Sequence, residues 1–480
     1  MRDQPRVTPE GGPAATPAVR LRRTRTDGGS TRRRQDPWPA LACLLIVCLG
    51  GCMMRPAAKG PATELEQIRQ QIHLRGGSVL SAGAAKVEIT PPVGTPLAGY
   101  AKRYGKPSIG IHDPLYVRAL ALSDEEDTLL LISADLLVFP PPFSERIFRL
   151  IEEKQKLQRQ SIILTTTHTH SGSGSIASGF LYEKVFGPYR RQVEDGIADR
   201  ISWAVQQAME NRKPVRWGVE TDGRLLEGFV ENRAAPGGPA DPSVSVLLFT
   251  APEMEPKAGP RAVVVNATAH PTLMDSQDLR MSADYPGQLC RRVEEAYPGA
   301  VCLFVNGAAG DARPSDAIGA TAEERVQRFG DLLAEGTEAL INRASLHEKG
   351  DLAAWGGWYG LPEPQIHLGP IPIHPEIGRL MRPTSAYLRL AALDNVLLVP
   401  LPAELTTDLG VELKLKLSRA GSQPILLGYA DGYLGYAVTP RQYESGSYEA
   451  GMTWYGAGFG EELLNHLKLL AALYKREESK

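Results

Sequence analysis

From Ala82 to Tyr474, short aliphatic runs such as "TLLLISAD", "QSIILTTT", "SVSVLLFT", "RAVVVNATA" and "AVCLFVNGA" alternate with segments of helical periodicity. Runs of this length bounded by turn residues read as buried strands, and their alternation with helices restricts the chain to an α/β body. The expected fold is a multi-layer mixed sheet core with flanking helices. Helices are predicted over 143–158, 189–212, 321–343 and 459–474, with a further one from about Pro286 that Asp284 caps. Thr321 and Glu324 have capping-box spacing. "SAYLRLAALDNVLLVPLP" reads as a hairpin. No internal repeat is visible. The stretch 355–383 is rich in Pro and Gly and long for a bare connection, which marks it as a lid, a binding loop or disorder.

The first 81 residues have a different character. Residues 1–40 are rich in Arg, Pro and Thr and lack apolar clusters, so they cannot build a core. "WPALACLLIVCLGGC" follows, a short apolar run ending in small residues at a cysteine, with the layout of a secretory signal. "LGGC" resembles a bacterial lipobox, which implies lipidation of Cys52. The domain plan is therefore a signal segment over 1–52, a polar, helical tether over 53–81, and a body over 82–476. The location this implies is the bacterial cell envelope, with a lipid anchor on a periplasmic or outer-membrane face. Fifty-three Lys and Arg against 55 Asp and Glu leave a net charge of −2, which argues neither for nor against nucleic acid; no nucleic-acid partner is expected. Only Cys290 and Cys302 fall in the body, in apolar surroundings, and are read as buried thiols.

"LTTTHTHSGSGS" carries His168 and His170 at the end of one predicted strand, and "VVVNATAHPTLMD" carries His270 after another. Residues two apart on a strand share a face, so His168 and His170 could look into one cavity. Three imidazoles at strand ends suit zinc, and they suit a plain polar strand end equally well. Asp311 lies in the Gly-rich turn "NGAAGDARP", Glu404 in "VPLPAELT", and Tyr436 and Tyr448 flank "YAVTPRQYESGSY". None of these is diagnostic alone.

Taken in order, "THTHSG", "ENRA", "NATAHPTLM", "NGAAGD", "PAEL" and the Tyr436–Tyr448 spacing resemble the catalytic domain of neutral/alkaline, non-lysosomal ceramidases. Those are zinc amidases that split the N-acyl bond of ceramide. The resemblance implies His168, His270, Glu404 and Tyr436 as ligands of a Zn2+ ion that activates water. It implies His170, Tyr448 and Arg233 as groups beside the substrate, with Asp135, Asp284 and Asp311 as candidates for orienting the imidazoles. The expected substrate is a lipid or another N-acylated small molecule. Two departures stand out. Arg313 occupies the place of a serine that has a catalytic role in the family, so Arg313 itself becomes a candidate for binding an anionic group or an oxyanion. The motifs also run close to the end of the sequence, with no sign of the family's immunoglobulin-like domain. A zinc hydrolase of a different amide or ester, and a non-catalytic envelope lipoprotein, are the competing readings.

Overall fold

The computed structural model describes residues 66–72, 77–252, 259–368 and 371–478. The signal segment and Cys52 lie outside the described residues. Three sheets form the body. The first holds Ser81–Glu88, Tyr116–Ser123, Thr128–Ala134 and Ile162–Thr166 in that spatial order. The second holds Arg216–Asp222, Val244–Thr250, Ala262–Ala267 and Val301–Asn306. In the third lie Leu352–Gly360, Ser385–Leu393, Val396–Pro400 and Gln423–Leu427.

Each sheet is built the same way. The first three strands run antiparallel to their neighbours, and the fourth runs parallel to the third. A parallel neighbour needs a crossover, and in each sheet it contains a helix: Pro141–Gln155, Asp284–Ala296 or Thr407–Arg419. A second helix follows each fourth strand: Arg191–Glu210, Ala322–Arg343 or Phe459–Glu478. Among the described residues, the body from Ser81 onward is thus three copies of one β-β-β-α-β-α unit. The repeat missing from the sequence is present in the topology.

The packing explains the continuous apolar strands. One face of every sheet turns to a shared centre, where Leu120, Leu131 and Ile163 of the first meet Leu247, Val264 and Leu303 of the second and Ala391, Leu398 and Ile425 of the third. The other face packs on that unit's own two helices: Ile132 on Ile147 and Ile201, Val263 on Leu289 and Phe329, Val399 on Leu413 and Leu467. A strand buried on both faces loses polar alternation. Cys290 and Cys302 sit in the second of these outer cores as free, buried thiols.

Two expectations change. The tether predicted as helical contains the strand Glu66–Ile72, which pairs antiparallel with Leu352–Gly360. Helix-forming Glu, Gln and Arg yield there to the open backbone of a sheet edge. The 355–383 stretch is not structureless either. It begins inside the strand Leu352–Gly360, continues through a short strand pair, and ends in the helix Pro375–Met381, which His374 caps.

The strand ends of the units approach at backbone level. Gly428 N–H donates to the Asn306 carbonyl at 2.8 Å, and a Cβ on Gly428 would lie 2.3 Å from the Gly307 oxygen. Gly428→Ala should therefore force the second and third units apart and lower unfolding free energy by about 1–3 kcal/mol. Denaturant unfolding checks this; an unchanged midpoint would show that the contact yields freely.

Candidate metal and active site

The carboxyl ends of the parallel strands converge, and each unit contributes to one cluster. His168 and His170 follow Ile162–Thr166 of the first unit. His270 follows Ala262–Ala267 of the second. Glu404 and Tyr436 come from the third, as direct partners in the short parallel pair of Glu404–Leu405 with Tyr436–Ala437. His168 and His170 meet for a reason other than strand alternation. The strand stops at Thr166, and His168 takes the left-handed backbone conformation at φ 68°. The imidazoles of His168 and His170 then stand edge to face at 5.0 Å, and those of His168 and His270 at 4.8 Å. Gly99 makes room for His170, since a Cβ there would lie 2.8 Å from its Nδ1.

Both outer imidazoles are oriented by backbone. His168 Nδ1 is 2.7 Å from the Leu137 carbonyl, and His270 Nδ1 is 2.5 Å from the Ala309 carbonyl. A carbonyl only accepts, so each Nδ1 carries the hydrogen and each Nε2 presents a lone pair. Glu404 Oε2 lies 3.5 Å from His168 Nε2 and 3.2 Å from His270 Nε2. These three atoms are buried and have no hydrogen-bond partner. Leaving three buried acceptors unmet is costly, unless a cation lies between them. A tetrahedral zinc with bonds of about 2.0–2.1 Å would space its ligand atoms by about 3.3 Å, which agrees with both separations. His168, His170 and His270 could also hold a metal ion as a set, their nitrogens lying within 4.8 Å of one another. The donor chemistry therefore fits a bound metal.

The remaining polar contacts fix this arrangement. Tyr433 donates to Glu404 Oε1 at 2.6 Å, which leaves Oε2 as the open oxygen. Tyr429 stacks on His168 with ring centroids 3.6 Å apart and planes 9° apart. Arg233 donates through one nitrogen to the Tyr436 hydroxyl at 2.9 Å and to the Gly310 carbonyl at 2.8 Å, and through Nε to Glu449 at 3.0 Å. Tyr448, 65% exposed, stands at the rim with its ring 5.9 Å from that of Tyr436. Both ring nitrogens of His170 are buried without partners. Burial and the neighbouring imidazoles push its pKa well below the ordinary value. Burial, reinforced by Arg233, lowers that of His270 to about 4. Burial alone would raise the Glu404 carboxyl, but the two imidazoles hold it well below the usual range. Burial and the Glu404 charge raise Tyr436 well above an ordinary phenol.

The three aspartates do not orient imidazoles. Asp311 accepts from the Thr407 N–H and hydroxyl at 2.7 and 2.6 Å and from Asn232 and Gln442 at 3.0 and 3.2 Å, which ties the second unit to the third below the site. Asp135 pairs with Arg118 at 3.1 Å. Asp284, its pKa raised to about 6 by burial, accepts from the Met274 and Tyr285 N–H groups. Backbone carbonyls take the Nδ1 hydrogens instead. The Arg313 side chain, too, is paired with groups outside the cluster. It is 40% exposed and held by Glu231 at 2.6 Å and Asp316 at 3.0 Å, because its short strand turns Ala312 and Pro314 inward and Arg313 out. Tyr429, Tyr433 and Glu449 were not anticipated. Their one trace in the sequence is the tyrosine spacing of "GYADGYLGY" and the acid after Tyr448.

Residues 80–314 match the N-terminal domain of neutral/alkaline non-lysosomal ceramidases. The chain belongs to this ceramidase family. The match takes in His168, His170, Arg233 and His270 and stops before Glu404. The fold is similar to that of neutral ceramidase from Pseudomonas aeruginosa, with a TM-score of 0.70 at 19% identity over 83% of this chain and 75% of that one. A ceramidase complexed with C2 gives a TM-score of 0.69 at 18% identity, over 83% of this chain and 76% of that one. At these identities the likeness establishes the fold.

One consequence is measurable without metal. His270 titrates near 4 when folded, against an ordinary 6.5. The unfolded chain therefore binds a proton that the folded chain refuses between those values, and folding stability rises with pH across that window. Chelator-treated protein should lose stability as pH falls from 6.5 towards 4. A His270→Gln variant should lose less over the same range in denaturant titrations. Parallel losses in the two proteins would show that His270 is not held neutral.

Proposed function

We propose that this chain is a zinc-dependent, ceramidase-like amide hydrolase acting on an N-acylated lipid such as ceramide. The observation that carries the reading is the convergence of three unpartnered buried acceptors, one from each structural unit, at separations suited to one tetrahedral ion. His168, His270 and Glu404 would hold zinc, with Tyr436 as the fourth protein group. When bound, zinc supplies Lewis-acid chemistry that acidifies water and polarises a carbonyl.

The protein groups divide the remaining work. His170 is uncharged with both ring nitrogens open, so it can take a proton from the attacking water and return it to the departing nitrogen. Tyr448 is a phenol, protonated at neutral pH, and can donate to the carbonyl oxygen as negative charge develops. Arg233 is permanently charged and adds positive potential on the same side. Water adds across the C–N bond to give a carboxylic acid and an amine. We further propose that the enzyme is exported and held at the bacterial envelope by a lipid on Cys52.

The surface ion pairs of Arg313 favour a second reading, a zinc hydrolase of another amide or an ester, because no serine fills that place and the arginine is engaged elsewhere. One experiment separates the readings. Purified protein should contain one zinc per chain and cleave a fluorogenic ceramide, with activity lost on chelation and reduced to background by His270→Ala. Zinc occupancy with cleavage of simple N-acyl or ester substrates but not of ceramide would select the second reading. Protein without zinc or turnover would leave only a binding role.

Arg313→Ala should stay within about twofold of the parent rate, in line with surface substitutions worth less than about 0.5 kcal/mol. A loss of tenfold or more in kcat/KM would place Arg313 in the working site.

A further inference from the structure

We infer that Glu449 is a positioning residue that keeps Arg233 on the Tyr436 oxygen and off Glu404, so that Glu404 stays available to the metal. The inference rests on the zinc reading and goes beyond it by assigning the control of Glu404 to a residue outside the ligand set. Glu449 is buried, with its side chain 4% exposed. It opens no route to solvent, and its carboxylate receives Arg233 Nε at 3.0 Å. Its place is set by the short helix Tyr448–Gly451, which Ser447 caps, and by Thr453, whose hydroxyl donates to the Glu449 carbonyl at 2.9 Å.

Two carboxylates compete for one guanidinium. An arginine cannot shed its charge, and a guanidinium largely out of water, as in the 23%-exposed Arg233, seeks an anion or strong acceptors. Two carboxylates act on Arg233, Glu404 and Glu449. Glu404 Oε1 is taken by Tyr433, but Oε2 is unpartnered and faces the two imidazoles. Of the two carboxylates that act on Arg233, Glu404 is the one left to a guanidinium freed from Glu449, and a charge-assisted bond to its Oε2 would occupy the atom that the metal needs. With Glu449 in place, Nε and one terminal nitrogen are engaged elsewhere. Nε is on Glu449, and a terminal nitrogen is shared by the Gly310 carbonyl and the Tyr436 hydroxyl. The guanidinium also lies 5.9 Å from the Tyr448 ring centre, so one ion pair fixes the groups on the rim side of the cluster together.

The test is a double-variant comparison read by zinc affinity, from chelator competition, beside turnover. Glu449→Ala should weaken zinc binding by about tenfold, at the lower edge of the range seen when groups behind metal ligands are removed. Adding Arg233→Met should bring zinc affinity back to within about threefold of the parent, because the competing charge is gone, while turnover stays low. Glu449→Gln keeps an acceptor for Arg233 without the charge and should fall between the parent and Glu449→Ala; it replaces the alanine variant if that one fails to fold. Parent affinity in Glu449→Ala, or in Glu449→Gln where that variant stands in, would overturn the inference. So would a double variant no better than the single. A parent protein that binds no zinc would fail the functional reading instead, a result visible before any variant is made.

Discussion

Three sheets can share one apolar centre only if the backbone polar groups at their strand ends find partners there, and two asparagine side chains supply much of that need. Asn266 donates to the Val305 and Leu426 carbonyls at 2.9 and 2.8 Å, and so joins the second unit to the third. Asn306 donates to the Ala269 carbonyl at 2.9 Å and to the Thr167 carbonyl at 3.4 Å, and so reaches the first. Buried carbonyls without such partners would each cost a large fraction of the net stability of a domain. Ser133 and Thr165 add hydroxyl bonds to Phe304 and Gly428 across the same region. The cluster of His168, His270 and Glu404 sits directly on this polar collar, because its residues follow the same strand ends.

The electrostatics of the cluster follow from that position. The enclosed setting keeps His170 and His270 from charging easily, and the Glu404 carboxyl lies well below the usual range despite the cost of burial. A neutral His270 with a titration point near 4 and an ionised Glu404 make a site that is charged for a cation before any cation arrives. The left-handed backbone at His168 and Tyr429 belongs to the same design. These residues hold equivalent places, two beyond the ends of the fourth strands of their units, and their strained turns bring the two rings face to face.

The sequence exposed the elements better than their arrangement. Buried strands were readable because both faces of each sheet are covered, which turns alternation into continuous apolar runs. His168, His270 and Glu404 were legible as a set only through the family resemblance, since a polar strand end by itself fits a plain capping role as well as a metal corner. The threefold repeat was not. At equivalent positions the units carry His168, Ala308 and Tyr429, so nothing but apolar spacing is shared, and the insertions between strands differ in each copy. The groups that orient the imidazoles were hidden for a different reason. Leu137 and Ala309 act through their carbonyls, and a carbonyl leaves no mark in residue type. The aspartates that looked suited to the task are occupied in holding strands and helix ends.

The distribution of the cluster over the units has a consequence for how the molecule is assembled in time. His168 comes from the first unit, His270 from the second and Glu404 from the third, so a folding chain with two units docked presents an incomplete donor set. Ion capture can reach full strength only after the last unit closes. A cation bound there acts as a clasp across all three units, and by mass action it opposes the loss of any one of them. Occupancy of such a site would then track the docking of all three units.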